Sequence, residues 1–212
     1  MTDIETGIAP DGKPWVHALD RASWRAWLIA NHETSSGAYL VSWRRGTGRP
    51  AVSYAEAVEE ALCVGWVDAT ARALDAERTM LWFTARRPRS GWSRPNKERV
   101  ARLIDAGLML PAGLAAVEEA KRRGTWSLLD DVEDLVVPDD LAVALAANPP
   151  AREHWDAFSR SARRGILEWI VQARRPETRA ARIAETATLA ARNERANQWV
   201  PRDRRPPAEP GR

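Results

Sequence analysis

The sequence is poor in cysteine, lysine and histidine: its 212 residues hold one Cys, three Lys and three His. A single thiol, Cys63, excludes an internal disulfide framework and any zinc site built on several thiolates, and it fits a reducing compartment. His17, His32 and His154 lie far apart, without the acidic pairing of a ligand set, so no metal and no cofactor are expected. A Gly-rich phosphate loop of the known kinds is missing, and so are a nucleotide fingerprint and a nucleophile–base motif. No run approaches the roughly 18 apolar residues of a membrane helix, so no membrane insertion is expected. Met1–Lys13 carries Asp3, Glu5 and Asp11, without the basic and apolar regions of a secretory signal, so the chain reads as cytoplasmic.

What the chain has in abundance is arginine and tryptophan, 29 and 11 residues, yet its net charge is only +3. So weak an excess does not by itself imply nucleic acid, and the Arg and Ala content fits codon bias in a GC-rich genome. The charge is unevenly placed. Between Arg86 and Arg102 seven basic residues face Glu98 alone, a local +6, whereas Glu118–Asp140 carries eight acidic and three basic residues, a local −5.

Periodicity suggests an α+β fold, with a small N-terminal α+β domain holding a short sheet and an all-helical C-terminal region. Residues 1–14 read as a flexible N-terminus. Asp20 or Ser23 caps a helix with Trp24, Trp27 and Leu28 inward. Tyr39–Trp43 reads as a strand and Arg44–Pro50 as a loop. Ser53-Tyr-Ala-Glu56 is a capping box opening a helix that Gly65 stops, with Glu59 and Glu60 on its solvated side. Trp66–Asp68 and Thr79–Phe83 are strand candidates, and 69–78 is a connection of undefined shape. The α+β domain is thus placed at 15–85, a basic linker at 86–95, a helical domain at 96–195 and a disordered tail at 196–212. In the helical domain Asn96 is the expected cap of a helix burying Val100, Leu103 and Ile104. Pro111 starts the next, with Leu114 and Val117 inward. Leu128–Val137 reads as an acidic connector before four further helical segments, starting at Pro138, His154, Ser161 and Glu177.

Four stretches together resemble the YdeI/OmpD-associated family, also described as bacteriocin-protection (OmdA) proteins. They are Tyr54–Asp68 (YAEAVEEALCVGWVD), Phe83–Arg99 (FTARRPRSGWSRPNKER), Leu141–Asn148 (LAVALAAN) and Ala173–Ile183 (ARRPETRAARI). They follow the family's order and span about residues 20–195. Two departures stand out: Ala69 replaces the family's usual glycine after Asp68, and Arg94-Pro95-Asn96 stands where Lys-Ile-Asn is common. The resemblance implies a bacterial protein of stress response or of tolerance to bacteriocins and cationic antimicrobial peptides, with no settled mechanism and no established catalysis.

Arg86-Arg-Pro-Arg-Ser-Gly-Trp-Ser-Arg-Pro-Asn-Lys97 is the leading candidate site. Guanidinium forks at Arg86, Arg87 and Arg89, the Trp92 face, the Ser93 hydroxyl and a helix start at Asn96–Lys97 are the parts of an anion site. An anionic small molecule or a protein partner is the expected occupant; the competing structural role is a rigid linker paired with the acidic block. The same segment could hold nucleic-acid phosphates through Arg87, Arg89, Arg94 and Arg99. Trp66 and Asp68, two apart on a strand, share a face, and an apolar ring beside a carboxylate can frame a small catalytic pocket. Cys63 reads as core, as do most of the tryptophans, with Trp92 the exception. On balance the residues favour a non-catalytic protein. Oligomeric state is not legible.

Overall fold

A computed structural model describes residues 4–198, and within the chain two compact units meet at Ser127 and Leu128. The α+β class is as the periodicity implied. The division of the chain differs from the one drawn at 86–95, because the two helices after that segment cluster with the sheet.

The first unit carries a five-stranded sheet in the order β1-β2-β3-β5-β4. Its strands are β1 (Glu5–Ile8), β2 (Pro14–His17), β3 (Ala38–Trp43), β4 (Trp66–Ala73) and β5 (Arg78–Ala85), with β2 and β3 parallel and the other pairs antiparallel. Helix α1 (Arg21–Asn31) makes the crossover between β2 and β3, as a parallel pair requires. Helix α2 (Tyr54–Cys63) links β3 to β4, and α3 (Arg94–Asp105) and α4 (Pro111–Arg122) follow β5.

Local chemistry explains the boundaries. Asp20 Oδ1 accepts the Ser23 N–H at 2.7 Å to cap α1, and Ser53 with Glu56 closes a reciprocal capping box on α2. Gly65, at φ +75°, ends α2 in a left-handed conformation that glycine adopts without strain. On one sheet face Trp24, Leu28, Leu40, Leu62, Trp66 and Phe83 form the core with the helices. Trp24 stacks on Trp27 at 5.5 Å and donates its indole N–H to the Ala57 carbonyl at 3.1 Å. On the other face Tyr39, Val41 and Met80 are covered by the turn at Ala9–Lys13, where the Tyr39 hydroxyl donates to Asp11 at 2.8 Å.

Several sequence expectations change here. Residues 5–14, read as part of a flexible terminus, belong to the antiparallel β1–β2 hairpin; Glu5-Thr-Gly lacks a strand-like pattern, and pairing with β2 supplies the order. The undefined stretch 69–78 continues β4 to Ala73 and turns tightly into β5. Asn96 does not cap α3: Ser93 is the N-cap residue, Pro95 lies in the first turn, and the Asn96 side-chain Oδ1 accepts from Arg99 at 2.9 Å. Ile104 and Leu114, expected inward, are exposed, since only one stripe of each helix meets the core.

The second unit is helical: α5 (Asp130–Glu133), α6 (Asp139–Ala146), α7 (Ala151–Ala157), α8 (Arg160–Val171) and α9 (Pro176–Ala191). Helix α9 packs against α6, α7 and α8 over a core of Leu141, Leu145, Trp155, Ile166, Ile170 and Ala187. The stretch read as an acidic connector belongs to this core through Leu129 and Val132. Glu133 is also buried and accepts two bonds from Arg164, at 2.8 and 3.2 Å. The tail expected to be disordered lies, from residue 199 on, outside the described residues.

Candidate functional site

The two sequence candidates, the Arg86 segment and the Trp66–Asp68 pair, are neighbours in the first unit. Strand β4 opens where β5 closes: Trp66 pairs with Ala85, and the Arg86 N–H donates to the Gly65 carbonyl at 3.0 Å. The chain then curls through Arg87–Gly91, held by the Ser90 N–H on the Arg87 carbonyl at 2.9 Å, and enters α3.

Arg86 turns inward inside this curl. Its guanidinium lies 3.9 Å from the Trp92 ring centroid and donates through Nη2 to the Gly91 carbonyl. Its Nε and Nη1 groups are buried and have no hydrogen-bond partner among the described residues. Burial pulls its pKa down to about 10, opposed only by the field of Asp68. A cavity of about 90 Å³ adjoins it, lined also by Arg87, Pro88, Trp92, Ala116 and Glu119. The Glu119 carboxylate already accepts from Arg122 and Arg123.

The remaining candidates divide between core and surface. Trp92, expected as the exposed exception, is 1 % exposed and packs on Trp126 at 5.0 Å, because the curl folds it under α4. Lys97 sits inside α3 with its ammonium 5.6 Å from the Trp126 ring. Ser93 makes no side-chain cap bond, and Asn96 serves Arg99. Arg87 and Arg89 are exposed. Asn96 and Lys97 thus lie within the first turn of α3, which starts at Arg94 after Ser93. Trp66 is buried in the core, and Asp68 accepts a bond from the Tyr54 hydroxyl at 3.0 Å. Burial, then the Asp68 charge, pushes the Tyr54 pKa up.

Cys63 is buried, and burial raises its thiol pKa, which leaves it a poor nucleophile. Glu60, read as solvated, is 2 % exposed and accepts from Arg21 at 2.5 Å and Arg25 at 2.6 Å. Sequence reasoning missed it because α1 brings those arginines from far along the chain. It also missed a groove of about 630 Å³ beside Tyr54, walled by the Arg44–Arg45 loop. Its one legible signal was a basic pair in a Gly-rich loop directly after a strand.

With this geometry in place, comparison with known families separates the two units. Residues 134–193 match the family described as Bacteriocin-protection, YdeI or OmpD-Associated (OmdA). The C-terminal part of the chain is of the OmdA type. This match takes in the Leu141–Asn148 and Ala173–Ile183 stretches. The Tyr54–Asp68 and Phe83–Arg99 stretches fall instead in residues 16–116, which match a domain of unknown function, DUF8412. No curated protein and no solved structure matches the chain. No helix among the described residues is long and apolar enough to cross a membrane.

Proposed function

We propose that this is a non-catalytic bacterial protein of stress or bacteriocin and antimicrobial-peptide tolerance, acting in the cytoplasm, whose N-terminal unit binds an anionic group at the Arg86–Trp92 curl. The OmdA match supports the tolerance role. The observation that carries the binding role is Arg86: a desolvated cation with two unpartnered N–H groups beside a small cavity. A buried cation that forms no ion pair is costly, and a carboxylate or phosphate oxygen at Nε and Nη1 would supply both the charge and the acceptors. Exposed Arg87 and Arg89 at the same curl would draw an anion in. An acidic group of a small molecule and one of a protein partner meet the same requirement.

The binding test is thermal denaturation at low salt with increasing inorganic phosphate. A saturable rise in Tm is expected in the native chain and is lost in Arg86→Met. Ligand at 100 times its Kd stabilises by about 2.7 kcal/mol. A Tm indifferent to phosphate and to acetate overturns the reading, since water alone then fills the cavity. The tolerance role is tested by deleting the gene and challenging cells with a cationic peptide; an unchanged survival curve removes it.

A further inference from the structure

The groove beside Tyr54 is a second place where the first unit departs from a filled core. Its floor is one face of three strands, with Leu40 of β3 opposite Leu81 of β5 and Ala71 of β4 beside them. This is the same face that α2 covers further along, at Phe83 and Trp66. Because α2 begins only at Tyr54, the Ser42–Thr79 end of that face has no helix over it. The register of β4 shifts between Asp68 and Ala71, directly beside the opening, and such irregularities recur next to binding sites. Ala71 itself is small, which leaves the floor deep.

The walls are chemically one-sided. Ser42, Ser53, Tyr54 and Thr79 supply hydroxyls, Arg44 and Arg45 supply positive charge, and no carboxylate lines the groove. Arg44 donates to the Asp75 carbonyl at 3.1 Å, so its position is fixed. Arg45 is exposed at the mouth and forms no ion pair among the described residues. The nearby acidic residues have partners of their own: Glu77 pairs with Arg49 at 3.3 Å and Asp75 with Arg78 at 2.7 Å, while Glu56 accepts from the Ser53 hydroxyl at 2.7 Å and Asp68 from the Tyr54 hydroxyl at 3.0 Å. A volume of about 630 Å³ falls inside the range of small-molecule sites, about 300–1,000 Å³.

We propose that this groove is a binding site for an amphipathic organic monoanion, whose apolar body lies on Leu40, Leu81 and Ala71 and whose acid group meets Arg45. The apolar floor rewards a hydrophobic body, and the unpaired cation at the mouth selects negative charge. The site uses none of the Arg86 curl's cations, so it stands or falls independently of the proposed function.

The test uses a pair of fluorescent probes sharing one aromatic body: 1-anilinonaphthalene-8-sulfonate, an anion, and N-phenyl-1-naphthylamine, which lacks the sulfonate. The full chain is expected to bind one equivalent of the anion, and the neutral probe about tenfold more weakly, the size of one exposed charge contact. Arg45→Glu is expected to weaken the anion about tenfold without affecting the neutral probe. Ala71→Phe is expected to abolish binding of both by filling the floor. Equal affinity for the two probes, or anion binding unchanged in Arg45→Glu, overturns the proposal. Arg45 lies on an exposed loop, so this second variant keeps the test decisive if Ala71→Phe fails to fold.

Discussion

The two units solve the problem of burying polar groups differently. The first holds Glu60 between two arginines and also leaves Arg86 short of partners beside a cavity. The second buries one acidic side chain, Glu133, whose carboxylate accepts from Arg164 of α8, while Arg160 donates to the Glu133 backbone carbonyl. Its groove, about 400 Å³ between α6 and α9, is lined by Ala144, Ala180, Ile183 and Ala184, with Asp140 and Arg179 already paired at 2.7 Å. Among the described residues, buried polar side-chain atoms without partners occur in both units, at His17 and Arg86 in the first and at Trp155 and Arg163 in the second, so what sets apart the first, which matches a domain of unknown function, is the cavity beside Arg86 and the uncovered sheet face. The family label and the chemistry that could hold a ligand reside in different halves of the chain.

The sharpest way to break this contrast is to remove the two buried glutamates. Glu60→Ala removes a 2 % exposed carboxylate that two arginines share, leaving Arg21 with Glu59 at 3.1 Å and Arg25 with the Leu108 carbonyl at 2.9 Å, and should cost about 2–3 kcal/mol in urea unfolding. Glu133→Ala strands Arg164, which is 30 % exposed and keeps Glu168 at 2.8 Å, so about 1–2 kcal/mol is expected. Equal losses would mean that the two units handle buried charge alike.

Two helical glycines offer the next contrast. A side chain at Gly113 would collide with the Cys63 carbonyl where α4 crosses the end of α2, so Gly113→Ala should destabilise by about 1–3 kcal/mol. Gly165 in α8 has open space, and Gly165→Ala should stabilise by about 0.5–1 kcal/mol through helix propensity. A stabilised Gly113→Ala would show that α4 does not approach α2 so closely.

Two buried indoles come third. Trp24 spends its N–H on Ala57, whereas the Trp155 N–H has no partner among the described residues. Trp24→Phe should therefore cost about 1 kcal/mol more than Trp155→Phe. The reverse order in thermal melts would contradict the hydrogen-bond assignment.

The smallest effect is acid sensitivity. The Tyr39 hydroxyl holds the Asp11 carboxyl below its usual range, and Arg179 does the same for Asp140. A lowered folded pKa favours folding above the unfolded value of about 3.9, and that contribution disappears as pH falls through the folded value. Asp140→Asn should flatten the acid limb by at most about 1 kcal/mol, since the pair is largely exposed. Asp11→Asn should flatten it as well, and an unchanged pH profile in both variants would dispose of the prediction.

Local signals were legible from the residues themselves. The Ser53–Glu56 box, the proline start of α4 and the strand character of β3 and β5 depend on neighbours a few residues apart, and these were visible. The inward turn of Arg86 was not. A run of seven cations reads as a solvated surface until β-pairing fixes Arg86 against Gly65 and places Trp92 beneath it. The hairpin of β1 and β2 was hidden for a similar reason, since its order comes from pairing rather than propensity.

The sequence by itself determined the α+β class, the helix starts, the core role of Cys63 and the OmdA character of the C-terminal part. Each of these is carried by spacing or motif within a short stretch. Only the tertiary structure decided that α3 and α4 belong with the sheet, that Arg86 and Asp68 are neighbours, and that a groove opens where α2 fails to cover β3 and β5. Those facts depend on contacts between residues distant in the chain, where burial and charge combine in ways that no local pattern encodes.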